Sequence, residues 1–365
     1  MLPYLFAIRK LLWMSKVNKT LIILTPGFPA NEADSTCLPF PQLFVKKLKQ
    51  LNPSLQIIVL AFQYPFVVSE YEWHAVKVIS FNGQSKGKIN RLLLWRKVWK
   101  RVNTIVKEND SIGILNFWLG ECGLIGKWAA KKYKLKSFTW LLGQDARKNN
   151  RYCFLIKPNA AGLVALSDFI GDEFYRNYKI MPANIIPPGI DATEFSAETP
   201  VRDIDILGSG SLIPLKRYNI FIKIVARLVI SHPKLKTMIC GKGMQEEYLR
   251  QMIDDAGLSP NIELCGEVSH SEVLGLMQRS KIFLHPSSYE GFATVINEAL
   301  YAGAQVVSFC QPMHTIYKNQ HVVKTDNEMT DKVNELLTDK NRNHESVITL
   351  PIEITCKKIL SLYGM

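Results

Sequence analysis

His285-Pro-Ser-Ser-Tyr-Glu-Gly-Phe-Ala-Thr-Val-Ile-Asn-Glu-Ala-Leu-Tyr-Ala-Gly303 reads as the end of a strand, a tight loop and the first turns of a helix. The run leading into it, Lys281-Ile-Phe-Leu-His285, is short and apolar like a strand buried on both faces. Val295, Ile296, Ala299 and Leu300 follow at helical intervals, and Pro286, Ser287, Ser288 and Gly291 supply the turn between. A strand running through such a turn into a helix brings backbone N–H groups and the positive end of the helix dipole to the carboxyl edge of a sheet, where phosphates bind. Two carboxylates belong to the unit: Glu290 in the turn and Glu298, eight positions on, on roughly the same side. Carboxylates in these places also complement the helix dipole, so spacing alone leaves a purely structural role open.

The stretch resembles the signature of the retaining glycosyltransferases of family 4, among the glycosyl transferases group 1. In that signature Ser-x-x-Glu-Gly-Phe opens a segment with two glutamates separated by seven residues, followed by Glu-Ala and a small-Gly pair. Ser287, Glu290, Gly291, Phe292, Val295, Glu298, Ala299 and Gly303 occupy the matching positions. The resemblance implies an α/β chain of the GT-B type, two Rossmann-like doubly wound parallel-sheet domains facing across a cleft. It implies transfer of a sugar from a nucleoside diphosphate-sugar, with retention, to a glycan or lipid-linked acceptor, as in bacterial surface polysaccharide synthesis. Glu290 would then hold donor-sugar hydroxyls beside the Gly291 and Phe292 amides, and Glu298 the ribose hydroxyls.

Ahead of this stretch the chain alternates strands and helices. Thr20–Thr25 is a first buried strand, followed by a Pro/Gly loop over 26–34 and a basic amphipathic helix over Phe40–Leu51. No G-x-G-x-x-G appears, which argues against a dinucleotide fingerprint. Strands are expected at Leu55–Ala61, Ala75–Phe81, Ser111–Trp118 and Gly162–Ser167, and Phe138–Arg147 is read as a strand delivering polar groups at its carboxyl end. By the resemblance, Gly27 sits in a loop that approaches donor and acceptor, and Asp145 in a turn that faces the donor sugar, where many relatives carry a His. Ile185-Ile-Pro-Pro-Gly-Ile-Asp191 resembles the family's Ile-Pro-Asn-Gly-Ile-Asp, with Pro188 in place of Asn. Pro187, Pro188 and Pro200 bracket a polar linker, so the domains are expected at 1–187 and 188–350, with 351–365 as a helix crossing back to the first.

The second half opens with Ile204-Asp-Ile-Leu-Gly-Ser-Gly-Ser-Leu-Ile-Pro-Leu-Lys-Arg217, a strand, a Gly-rich loop through Gly210 and a helix start. Lys216 at that junction can set an ammonium against a diphosphate. The family commonly has Arg five residues before this Lys; here the position is Ser211, so a second cation would come from elsewhere, Lys242 or Arg217 being candidates. Thr237-Met-Ile-Cys-Gly-Lys-Gly243 resembles the family's Val-Gly-x-Gly, through Gly241 and Gly243. Ile262-Glu-Leu-Cys-Gly-Glu-Val268 resembles its Phe-x-Gly-x-Val, where main-chain groups at Glu267 and Val268 would read the nucleobase. Asp203-Ile-Asp205 has the look of a metal-binding Asp-x-Asp, but alternation at a strand mouth accounts for it and no further hard ligand lies beside it. No metal and no resident cofactor are expected.

Charge is uneven along the chain. Residues 1–185 hold 27 Lys and Arg against 11 Asp and Glu, whereas 186–365 hold 18 against 21, so the net charge of +13 belongs to the first half. Such a half suits an anionic partner. Lys86–Lys107 interleaves eight basic residues with Leu92, Trp95, Val98, Trp99, Val102 and Ile105, a helix suited either to anionic lipid or to ordinary packing on a sheet. A cytoplasmic location, peripheral at the inner membrane face, is the matching expectation. Seven scattered cysteines without a Cys-x-x-Cys pair suit a reducing compartment. Met1–Trp13, broken by Arg9 and Lys10, reads as neither signal peptide nor membrane span, and Met14 could equally be the start. Rival readings are a nucleotide-sugar epimerase on the same scaffold and a nucleotide-sugar-binding protein without turnover. Nucleic acid is disfavoured, because the motifs lie in the half that is not basic and no reading motif accompanies them.

Overall fold

In the computed structural model, residues 19–35, 37–85, 87–198 and 200–365 are described. Lys19–Gly27 (β1) is apolar over Leu21–Leu24 and buried on both faces, as a central parallel strand must be. Pro39–Leu51 (α1), Gln56–Tyr64 (β2), Val68–Trp73 (β3), Val76–Phe81 (β4), Lys88–Glu108 (α2) and Asp110–Phe117 (β5) follow. Glu121–Tyr133 (α3), Lys136–Leu141 (β6), Arg151–Ile156 (α4), Leu163–Ala165 (β7), Asp168–Tyr178 (α5) and Asn184–Ile185 (β8) come next. The eight strands form one sheet in the order β3-β4-β2-β1-β5-β6-β7-β8, with β4-β2-β1-β5-β6 parallel. β3 was not expected. It hairpins antiparallel to β4 at the sheet edge, and its polar-apolar alternation leaves most of its side chains partly or fully open to solvent.

The second half comprises Ile204–Ser209 (β9), Tyr218–Leu228 (α6), Thr237–Cys240 (β10), Glu246–Asp255 (α7), Ile262–Gly266 (β11) and His270–Arg279 (α8). Ser280–His285 (β12), Thr294–Tyr301 (α9), Gln305–Ser308 (β13), Gln320–Val322 (β14), Asp326–Thr338 (α10) and Ile352–Tyr363 (α11) complete it. Its six strands are all parallel, in the order β11-β10-β9-β12-β13-β14. Alternation along each strand feeds two cores. Ile206, Ile282 and Leu284 pack with α6 and α10 through Phe221, Val225 and Val333. Leu207 and Phe283 point the other way, to Leu274, Met277, Ile296 and Leu300 of α8 and α9. A sheet covered on both faces in this way is doubly wound.

The chain divides into two compact units. Residues up to Val164, with Pro182–Asn184 and Lys358–Met365, form one unit, and Ala165–Met181 with Ile185–Lys357 the other. α5 groups with the second unit because Phe169 N donates to Pro312 O (3.0 Å) and His314 N to Asp168 Oδ2 (2.8 Å), contacts far too long in sequence to read. α11 is divided: Thr355 Oγ1 donates to Pro187 O (2.9 Å) in the second unit, while the Tyr363 hydroxyl donates to Ile114 O (2.9 Å) in the first. All seven cysteines are free. Among the described residues no helix is long and apolar enough to cross a membrane.

Candidate active site

Because β9, β10, β11 and β12 are parallel neighbours, the loops that leave Ser209, Cys240, Gly266 and His285 emerge at one edge of the second sheet. Backbone contact locks the first two together. Gly210 N donates to Cys240 O (2.9 Å), Leu212 N to Lys242 O (3.0 Å) and Gln245 N to Leu212 O (3.0 Å). A Cβ on Gly241 would lie 1.9 Å from Gly210 O, and one on Gly243 2.4 Å from Leu212 O, so neither position admits a side chain. The Gly210 N–H is engaged by its own fold.

The loop after β12 is tied to residue 215. Ser287 Oγ (3.2 Å) and Ser288 N (3.0 Å) both donate to Leu215 O, which delivers the next residue, Lys216, to the carboxylate of the same loop. Lys216 Nζ lies 2.5 Å from Glu290 Oε1, and His285 Nε2 lies 2.9 Å from that same oxygen. The Lys216 side chain also runs past Gly210, where a Cβ would meet its Cε at 3.6 Å. Burial pushes the Glu290 carboxyl up, but the His285 hydrogen bond and the Lys216 ammonium outweigh it and hold it at about 2. Burial pushes His285 down, so it is neutral and donates Nε2–H to Glu290. Backbone and side chains brace the loop further: Ser167 Oγ donates to Gly291 O (2.5 Å) and Cys310 Sγ to Ser287 O (3.1 Å). Phe292 is buried, an anchor for the loop's far end.

Glu298, on the second turn of α9, pairs with His270 Nε2 at 2.9 Å. The Glu298 hydrogen bond raises the pKa of His270, against a smaller opposing effect of burial. Glu267 is exposed and Val268 half-buried beyond Gly266, whose φ of 71° turns the chain there. Ser211 is exposed. Of the proposed second cations, Arg217 stacks over the Phe309 ring (4.9 Å) and lies 3.6 Å from Asp326, whereas Lys242 is exposed on the loop that pairs with Leu212. Lys242 is the better placed.

Two sequence candidates lie in the first unit. Asp145 is buried, and its Oδ2 accepts from Leu142 N (2.9 Å) inside its own turn; burial raises its carboxyl to about 7, against the opposing backbone hydrogen bonds. Gly27 has ordinary space for a Cβ, the nearest atom being Cys37 Sγ at 3.5 Å, so sterics do not demand glycine there. Asp203 and Asp205 are engaged by Arg279 (2.6 Å) and Lys281 (2.7 Å), which gives the Asp-x-Asp a structural use. They begin the strand at the opposite, amino edge of the sheet, beside a groove of about 600 Å³ lined by Lys236, Asp254 and Arg279 that is remote from Glu290. Sequence reasoning assigned no role to His285, His270 or Ser167. His285 alone left a signal, as a polar residue ending an apolar strand five places before the glutamate.

Residues 190–347 match the family described as glycosyl transferases group 1. The phosphatidylinositol N-acetylglucosaminyltransferase gpi3 subunit of Schizosaccharomyces pombe is 32% identical over 128 residues, 34% of this chain and 28% of that protein. The chain thus matches less than a third of the length of that curated relative. Among solved structures, sucrose-phosphate synthase from Thermosynechococcus elongatus superposes with a TM-score of 0.74 at 13% identity, over 95% of this chain and 98% of that one. Anabaena HepE in complex with UDP and glucose superposes with a TM-score of 0.69 at 15% identity, over 95% and 99%. The chain has the α/β fold of these GT-B proteins, with two parallel-sheet units, and its residues 190–347 match the glycosyl transferases group 1.

Proposed function

We propose that this chain is a retaining glycosyltransferase that moves a sugar from a nucleoside diphosphate-sugar to a glycan or lipid-linked acceptor. The observation that carries the reading is the convergence of Lys216 and His285 on one oxygen of Glu290, at the carboxyl edge of a parallel sheet and beside two interlocked glycine loops. As the bond from the anomeric carbon to the diphosphate breaks, negative charge grows on the leaving oxygen and positive charge on the sugar ring. Lys216, with the amino ends of α6 and α9, meets the first; the ionised Glu290 meets the second and holds ring hydroxyls. The new bond forms from the acceptor oxygen on the same face, and the acceptor's proton passes to the leaving phosphate oxygen. Glu298 holds the ribose in this reading, and the loop at Glu267 and Val268 meets the base.

The proposed reaction uses Lys216, with Lys242 beside the loop at Ser211, in place of a divalent metal. Asp203 and Asp205 are bound to cations of the protein, and among the described residues no group of three or more His, Cys, Asp or Glu side chains could hold a metal. Bacterial surface polysaccharide synthesis is the setting we propose, the basic first half suiting an anionic or lipid-linked acceptor.

A panel of UDP-, GDP- and ADP-sugars tests the reading, with UDP-N-acetylglucosamine first because the matched relative is named for that sugar. Proton NMR of the earliest product is expected to show one donor consumed, the anomeric configuration kept, and no change on adding EDTA. Nucleotide binding without consumption of any donor would favour a binding protein instead.

A further inference from the structure

The first unit carries an apolar patch set in a basic field, and its composition is not the one the sequence suggested. Trp95 and Trp99 of α2 face the protein: both pack against its core, both meet the Trp128 ring edge-on at 6.3 Å, and Trp95 Nε1 donates to Glu121 Oε2 (2.6 Å). The outer face of α2 instead opens with Ile89, Leu92 and Leu93, which are 77%, 61% and 53% exposed. Along the same face those residues give way to Arg96 and Lys100, one and two turns on.

α4 continues the patch. Its Tyr152 ring lies 6.5 Å from the Trp95 ring, which sets α4 against α2. From there Phe154 and Leu155 project, 66% and 59% exposed. Large side chains left open on two adjoining helices are unusual for a surface with no partner. The charge around them names the partner. Residues 88–108 and 121–157, which span α2, α3 and α4, together hold 16 Lys and Arg against three acids, Glu108, Glu121 and Asp145, of which Asp145 is buried and Glu121 half-buried against Trp95. Exposed Lys127, Arg151 and Lys157 flank the patch on α3 and α4.

We infer that the faces of α2 and α4 bearing Ile89, Leu92, Leu93, Phe154 and Leu155 dock on an anionic phospholipid surface, the apolar side chains entering the headgroup boundary and the surrounding Lys and Arg meeting lipid phosphates. Neither component suffices alone: shallow apolar insertion is reversible, and exposed cations act only within a Debye length. This surface stands whether or not the second unit transfers sugar.

The test is co-sedimentation of the full chain with vesicles of phosphatidylcholine alone and of phosphatidylcholine with phosphatidylglycerol. The wild type is expected to bind only the anionic vesicles and to be released by high salt. The variant Leu92→Glu/Leu93→Glu/Phe154→Glu is expected to lose at least about tenfold in apparent affinity with its melting temperature unchanged, and Arg96→Glu/Lys100→Glu to lose less. Equal binding to neutral vesicles, or wild-type binding by the triple variant, as would follow from adsorption through residues 1–18, overturns the inference. So does a triple variant that changes oligomeric state while the wild type ignores vesicles, which would make the patch a contact between copies.

Discussion

Lys216→Ala is expected to lower donor turnover by about 10²–10³-fold, the loss typical of removing one preorganised charge from a transition state. It is also expected to destabilise the protein by about 2–4 kcal/mol, because it leaves Glu290 largely buried and ionised with only the neutral His285 to satisfy it. The two effects have different origins and separate in a double variant. Lys216→Ala/Glu290→Gln removes the uncompensated charge, so urea denaturation should show most of the stability restored. Turnover should stay at the level of the single variant or below, since the charge that meets the leaving diphosphate is still absent. Restored turnover in the double variant would mean that Lys216 serves only to neutralise Glu290.

Gly241→Ala is the second large effect. Its Cβ would fall 1.9 Å from Gly210 O, a backbone atom that cannot rotate away, and its φ of 146° lies where side chains are rarely tolerated. A loss of at least about 3 kcal/mol is expected, or failure to accumulate as folded protein. Gly257→Ala is the matched control. Gly257 also has a positive φ, 66°, but open space around its Cβ, so only the left-handed backbone cost of about 1–2 kcal/mol remains. Equal losses in the two variants, measured by urea denaturation, would show that the interlock between the 210 and 241 loops carries no special weight.

Much of this was readable because it is written in periodicity and in glycine. The apolar run over 281–285 and the helical spacing after Thr294 gave β12 and α9, and Gly241 and Gly243 stand where backbone must touch backbone. Lys216 and Glu290, 74 positions apart, meet because parallel pairing of β9 with β12 brings their following loops to one edge. Side-chain direction was not readable. Nothing in the spacing of α2 tells which of its apolar residues face inward, and the packing of Trp95 and Trp99 against the core shows that the tryptophans do. Long-range ties were equally silent: Ser167 to Gly291 and Phe169 to Pro312 group α5 with the second unit. The tie of the Gly210 N–H to Cys240 O was silent too, because its acceptor lies on another strand.

In the proposed reaction Glu290, held by Lys216 and His285, faces the sugar whose bond is broken. The most direct test is single-turnover consumption of the identified donor by Glu290→Gln beside the wild type, with both proteins shown to melt alike and to bind the free nucleotide alike. A rate lower by at least about 10²-fold with nucleotide affinity kept is expected, because a neutral amide cannot meet the charge that develops on the ring. An unchanged rate, or a loss confined to nucleotide affinity, would contradict this role of Glu290 and move the reacting sugar elsewhere.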